Sequence, residues 1–172
     1  MPQMFCDGES VYKKFLDDYI QHDRGFFIVA PSGAGKTHFV QNQEEPHWID
    51  GDIIWTACGA HPQTAWWTQG YEVISEIDQK SDVITVEAKK LGLWIIGASN
   101  FWLRPDAIVI PEWEQHKEYI RIREETNYDG GAKSEDHEQV LGHRAWLKQH
   151  AQKHDTPIFD SIEKAIEHLT QA

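Results

Sequence analysis

Two periods of apolar and polar positions alternate along the chain. Short, nearly continuous apolar runs occur at residues 25–29 (Gly25-Phe26-Phe27-Ile28-Val29), 47–49, 93–97, 107–111 and 156–159. Continuous apolar character over so few residues suits strands buried on both faces, as in a parallel sheet. Between these runs lie stripes at helical spacing. Val11, Phe15, Leu16, Tyr19 and Ile20 form one, with Ser10 as its N-cap. A helix can begin at His38, and two more are predicted at 71–79 and 81–91, joined near Lys80-Ser81-Asp82. Residues 112–125 read as helical, and Val140, Arg144, Leu147 and Ala151 share one face of a helix that starts at Ser134. Asp160 with Glu163 has capping-box spacing and opens a last helix carrying Ile162, Ala165, Ile166 and Leu169. Residues 53–70, rich in Trp, read as irregular. Strands alternating with helices predict one doubly wound α/β domain over residues 1–172, a three-layer sandwich around a mainly parallel five-stranded sheet.

The run at 25–29 leads directly into Ala30-Pro31-Ser32-Gly33-Ala34-Gly35-Lys36-Thr37. A strand, a glycine-rich turn ending in Gly-Lys-Thr and a following helix form the context of a phosphate-binding P-loop. Gly33 and Gly35 can take positive φ and let the backbone approach a phosphate, because no Cβ stands in the way. Successive backbone N–H groups at a helix start then make an anion nest. Residues 32–38 (Ser32, Gly33, Ala34, Gly35, Lys36, Thr37, His38) are the expected nucleotide site. In it Lys36 reaches the outer phosphates and Thr37 ligates Mg²⁺. The strict pattern begins with Gly where this chain has Ala30, which is tolerable if that residue keeps a negative φ.

Asp50-Gly51-Asp52 follows the second apolar run, at the sheet edge where α/β proteins bind ligands. Read as strand-like, the two carboxylates share a side and face one cleft. One would hold a Mg²⁺-bound water and the other would accept the proton of an incoming hydroxyl. Asp52 is the candidate base and Asp50 the metal-side partner, and the roles can be exchanged. Arg121 and Arg123 lie on a helix ahead of the polar stretch 127–133, an arrangement that suits a lid over about 112–135. Alternatively they pair on the surface with Glu118, Glu124 or Glu125. Arg104 and Arg144 rank lower, Arg144 as a side chain lying along its own helix stripe. Trp55, Trp66 and Trp67 could stack on an acceptor or fill core volume, and Tyr128 is a further contact candidate. His150 and His154 are spaced i, i+4 but lack an obvious third metal ligand.

The formal charge of −12 argues against a broad nucleic-acid footprint and leaves room for a local groove. Cys6 and Cys58 have no metal or redox spacing, no signal peptide is evident and no apolar run is long enough to span a bilayer. These features lead to the expectation of a cytoplasmic protein with no membrane partner. Guanine-specific Asn-Lys-x-Asp is missing, and the candidate strands end in Gly97-Ala98-Ser99 and Pro111-Glu112 rather than in the Asp of a motor ATPase. Residues 41–103 contain no arginine, which favours an alcohol over a phosphate as acceptor.

Together these motifs resemble the adenylate-kinase-like branch of the P-loop NTPase kinases, near the adenylylsulfate, gluconate and polynucleotide kinase types. The resemblance implies an ATP- and Mg²⁺-dependent transfer of phosphate to an alcohol. Residues 30–37 would bind the nucleotide, Asp50 and Asp52 would face the acceptor, and Arg121 or Arg123 would serve as the lid arginine. His61-Pro62 only partly echoes the gluconate-kinase pattern. Viral kinases of similar size that phosphorylate 5-hydroxymethyluracil in DNA are compatible with the chain. The expected acceptor is thus a nucleoside, nucleotide or nucleic-acid component. A nucleoside monophosphate or sugar acceptor is the alternative within enzymes, and a non-catalytic nucleotide-binding module the alternative outside them.

Overall fold

The protein is described by a computed structural model over residues 10–31, 34–58, 70–97, 104–125 and 134–171. Among them the order is α1 (Val11–Asp18), β1 (Phe26–Val29), α2 (Lys36–Asn42), β2 (Trp48–Asp50), α3 (Gly51–Ala57), α4 (Tyr71–Lys90), β3 (Trp94–Gly97), β4 (Ala107–Val109), α5 (Trp113–Glu125), a 3₁₀ turn (Ser134–Asp136), α6 (His137–His154), β5 (Ile158–Phe159) and α7 (Ile162–Thr170). The five strands make one sheet in the order β2-β3-β1-β4-β5, and every pairing is parallel.

Period-2 alternation divides the apolar side chains between two cores. Phe27, Val29, Ile49, Ile95 and Ile108 face Val11, Phe15, Ile54, Ile84 and Leu147 from α1, α3, α4 and α6. Phe26, Ile28, Trp48, Ile96 and Val109 face the other way, towards Phe39 and Val40 of α2 and Ile162 and Ala165 of α7. The sheet is therefore covered on both sides, which is why its central strands β1 and β4 are apolar without interruption. Each fully buried Ile or Phe contributes about 1.5–3 kcal/mol over its exposed state.

Three local expectations are corrected. Asp50-Gly51-Asp52 is not an extended Asp-x-Asp: the strand stops at Asp50, which N-caps α3 by accepting the Asp52 N–H at 3.0 Å. The apolar Ile53-Ile54-Trp55 that follows is helix rather than irregular chain, because it has the body of the domain to bury against. Residues 71–90 form one continuous helix where two were expected. Lys80-Ser81-Asp82 resembles a polar break, yet Ser81 and Asp82 are buried with Asp78 and Thr85 on one face. Ser81 Oγ donates to Asp78 O at 2.8 Å and Thr85 Oγ1 to Ser81 O at 2.7 Å, so the helix satisfies its own hydroxyls.

Candidate active site

The helix after β1 packs on one face of the sheet, while those after β2 and β4 include helices on the opposite face. The carboxyl end of β1, between β3 and β4, is thus the topological switch point where α/β sheets open a crevice. The Gly-Lys-Thr loop begins there. Ala30 extends the sheet pairing by donating its N–H to Gly97 O at 2.8 Å, and it is fully buried. Asp155 is the one described non-glycine residue with positive φ, so Ala30 keeps an ordinary backbone in place of the usual Gly. Gly35 sits at φ 92°, ψ 12° as the N-cap of α2, and a Cβ built on it would meet nothing within 4 Å. Backbone conformation alone, rather than crowding, calls for glycine at this point.

Lys36 is 7% exposed, and its ammonium donates to Ala30 O at 3.0 Å and Pro31 O at 2.9 Å. Burial lowers its proton affinity to about 8 from an ordinary 10.5, against the opposing pull of Asp52 and Asp50 and with a further push from Arg123. These four charges therefore share one electrostatic neighbourhood. Asp50 spends Oδ1 on the α3 cap. Asp52, one residue into that helix, is exposed.

The two arginines expected to serve a lid diverge. Arg121 is exposed and bonded to Glu118 at 2.5 and 3.0 Å and to Glu125, which raises its proton affinity further. Arg123 is half-buried, and its charge is felt at Lys36. Trp55 is 8% exposed and packed in the core with α3 and α4. His38 is exposed at the start of α2, and its carbonyl accepts from Asn42 at 2.7 Å. Ser32, Gly33, His61, Pro62, Trp66, Trp67, Tyr128 and the side chain of Thr37 lie outside the described residues.

Of two further neighbours on α6, His143 escaped the sequence reading and Arg144 sits differently from the place expected of it. His143 of α6 is half-buried, and its proton affinity falls to about 4 through burial, then the charge of Lys36, then that of His116. It is neutral at pH 7. Arg144, next to it, is 8% exposed and anchored by hydrogen bonds instead of lying along its own helix. Its position among apolar residues of the α6 stripe was the available signal, and the stripe disguised it as an amphipathic edge.

His150 is buried, with its ring 4.9 Å from that of Trp146 and 4.5 Å from that of His154. Among the described residues no three His, Cys, Asp or Glu side chains group to hold a metal, and no helix is long and apolar enough to cross a membrane.

What fold and site define is an α/β protein with a five-stranded, all-parallel sheet, in which the turn after the central strand leads through Gly35 to a buried lysine at the start of α2. No protein-family model matches the sequence, and no curated protein is significantly similar to it.

Proposed function

We propose that the protein is an ATP- and Mg²⁺-dependent phosphotransferase. It would move the γ-phosphate of ATP to an alcohol on a nucleoside, nucleotide or nucleic-acid base or sugar, with the hydroxymethyl group of 5-hydroxymethyluracil in DNA as a candidate. The observation that carries this reading is the convergence at the switch point. Lys36 is buried at the start of α2, its ammonium bonded to carbonyls just past the central strand and within electrostatic reach of Asp50 and Asp52.

The roles follow from the chemistry of each group. Lys36 holds its proton at neutral pH and among the described residues is bonded only to uncharged carbonyls, so an incoming phosphate chain offers it a better partner. Asp52, exposed at the mouth of α3, is suited to orient the acceptor hydroxyl and take its proton. As the alcohol oxygen bonds to the γ-phosphorus, the bridging bond to the β-phosphate breaks and ADP leaves. The oxygen donors near the loop fit Mg²⁺, a hard cation that prefers one or two carboxylates plus water and phosphate oxygens. Asp50 and Thr37 would hold it, and when bound it supplies neutralising charge to the phosphates. Arg123, whose charge reaches Lys36, is better placed than the glutamate-bound Arg121 to meet the transferring group. The lack of arginine across residues 41–103 supports an alcohol acceptor.

The test offers γ-labelled ATP and Mg²⁺ with nucleosides, monophosphates, sugar alcohols, and DNA with and without 5-hydroxymethyluracil. Label on one acceptor class, lost in both Asp52→Asn and Lys36→Ala, is expected. ATP binding without transfer to any acceptor would replace the kinase reading with that of a nucleotide-binding module.

A further inference from the structure

Arg144 presents a problem that its fold neighbours do not solve. Its guanidinium is attached to a residue only 8% exposed, yet among the described residues no carboxylate pairs with it. What holds it is uncharged. Nη1 donates to Pro111 O at 2.6 Å and to His116 Nδ1 at 2.9 Å, and the Trp113 ring covers the cation with its centroid 5.4 Å from Cζ. His116, wholly buried, accepts at Nδ1 and so carries its proton on the other nitrogen. The two hydrogens of Nη1 are thereby used. The opposite edge, Nε and Nη2, has no partner among the described residues, and both nitrogens remain in touch with solvent. That edge presents two parallel N–H bonds in the fork that matches two oxygens of a phosphate.

Its place in the fold gives the edge a use. Val29 of β1 is in register with Ile108 of β4, so Pro31 and Ile110, two residues further on, both lie just past the carboxyl ends of these paired strands. Pro111 O, the anchor of Arg144, is therefore at the same sheet edge as the loop carbonyls that hold Lys36. We propose that Arg144 is an anion-receiving residue whose Nε/Nη2 edge binds the terminal phosphate of the nucleotide held on the 30–37 loop. The inference rests on the nucleotide-binding reading above. Burial lowers the proton affinity of Arg144, with no charged group among the causes, as expected of a cation buried without an anionic partner among the described residues. The Arg144–His116–Trp113 group also ties α6 to α5, so an anion at Arg144 would brace both helices against the loop.

Calorimetry with ATP, ADP and inorganic tripolyphosphate on wild type, Arg144→Gln, Arg144→Lys and Lys36→Ala tests this. Arg144→Gln should weaken ATP about 10- to 100-fold and ADP much less, with Arg144→Lys between, each variant having a wild-type circular dichroism spectrum. ATP binding within twofold of wild type in a folded Arg144→Gln overturns the assignment while leaving nucleotide binding intact. Absence of Lys36-dependent ATP binding in wild type overturns both readings. A measurement on wild type guards against a variant that does not fold. Phenylglyoxal labelling of Arg144, read by mass spectrometry, should be suppressed by saturating ATP, while labelling of Arg121 should not. An Arg144 that is unreactive, or labelled equally with and without ATP, also overturns the proposal, since an edge open to phosphate must be open to the reagent.

Discussion

Replacing Lys36 with Met removes a buried cation while keeping most of its length, and the consequence for stability can be worked out before any activity is measured. In the folded protein the lysine releases its proton near 8, against 10.5 for an unburied lysine, so burying the charge costs about 3 kcal/mol at neutral pH. The folded value is the lower one. Between about 8 and 10.5 the unfolded chain therefore binds more protons than the folded one, and stability rises with pH across that window. Below about 8 both states are protonated and the full cost is present. The difference in unfolding free energy, wild type minus Lys36→Met, should rise by about 2.5 kcal/mol between pH 7 and pH 10. Tyrosines and the other lysines titrate in both proteins and cancel in that difference. The assay is urea unfolding followed by tryptophan fluorescence at each pH. Saturating ATP and Mg²⁺ would hold the proton on Lys36 and flatten the rise, which links the stability measurement to the proposed site. A pH-independent difference without nucleotide would refute the burial argument.

Two further perturbations separate packing and capping from chemistry. In Gly51→Ala the new Cβ would stand 2.7 Å from Gly97 Cα and 3.2 Å from Ile96 O, both backbone, so a loss of about 2 kcal/mol or more is expected. Gly142→Ala, within α6 and with nothing inside 4 Å, should gain about 0.5–1 kcal/mol. Opposite shifts in thermal midpoint support this packing, and equal shifts contradict it. Asp50→Ala should lose about 1 kcal/mol through the α3 cap, whereas Asp50→Asn should keep the cap and lose phosphate transfer. Equal stability of the two variants would deny the cap, and full transfer by Asp50→Asn would deny the metal-side role.

The turn that sets Gly35 and Lys36 at the head of α2 was legible because it is local. Gly35 and Lys36 are adjacent and follow β1 within a few residues, and the αL conformation at Gly35 is a property of that short stretch. The doubly wound sheet was legible for a similar reason, since two-sided burial writes an apolar run into each of the central strands. Burial also misled: the apolar start of α3 has no polar face to mark its period, and Ser81 and Asp82 are polar positions on a buried helix face.

What the sequence by itself determined is the alternation of strand and helix and the lysine that opens α2 after β1. It also supplied two aspartates two residues apart, while leaving their geometry open. Tertiary structure alone decided that Asp50 would be a cap, that Arg121 would be bound by Glu118 and Glu125, and that Arg144 would be buried away from any carboxylate among the described residues. The physical reason is range. Hydrophobic period and turn chemistry act over a few residues, whereas the environment of a charge depends on which distant segments exclude water around it. For Arg144 those segments are Pro111 and His116, up to 33 positions away in sequence and adjacent only once the sheet has formed.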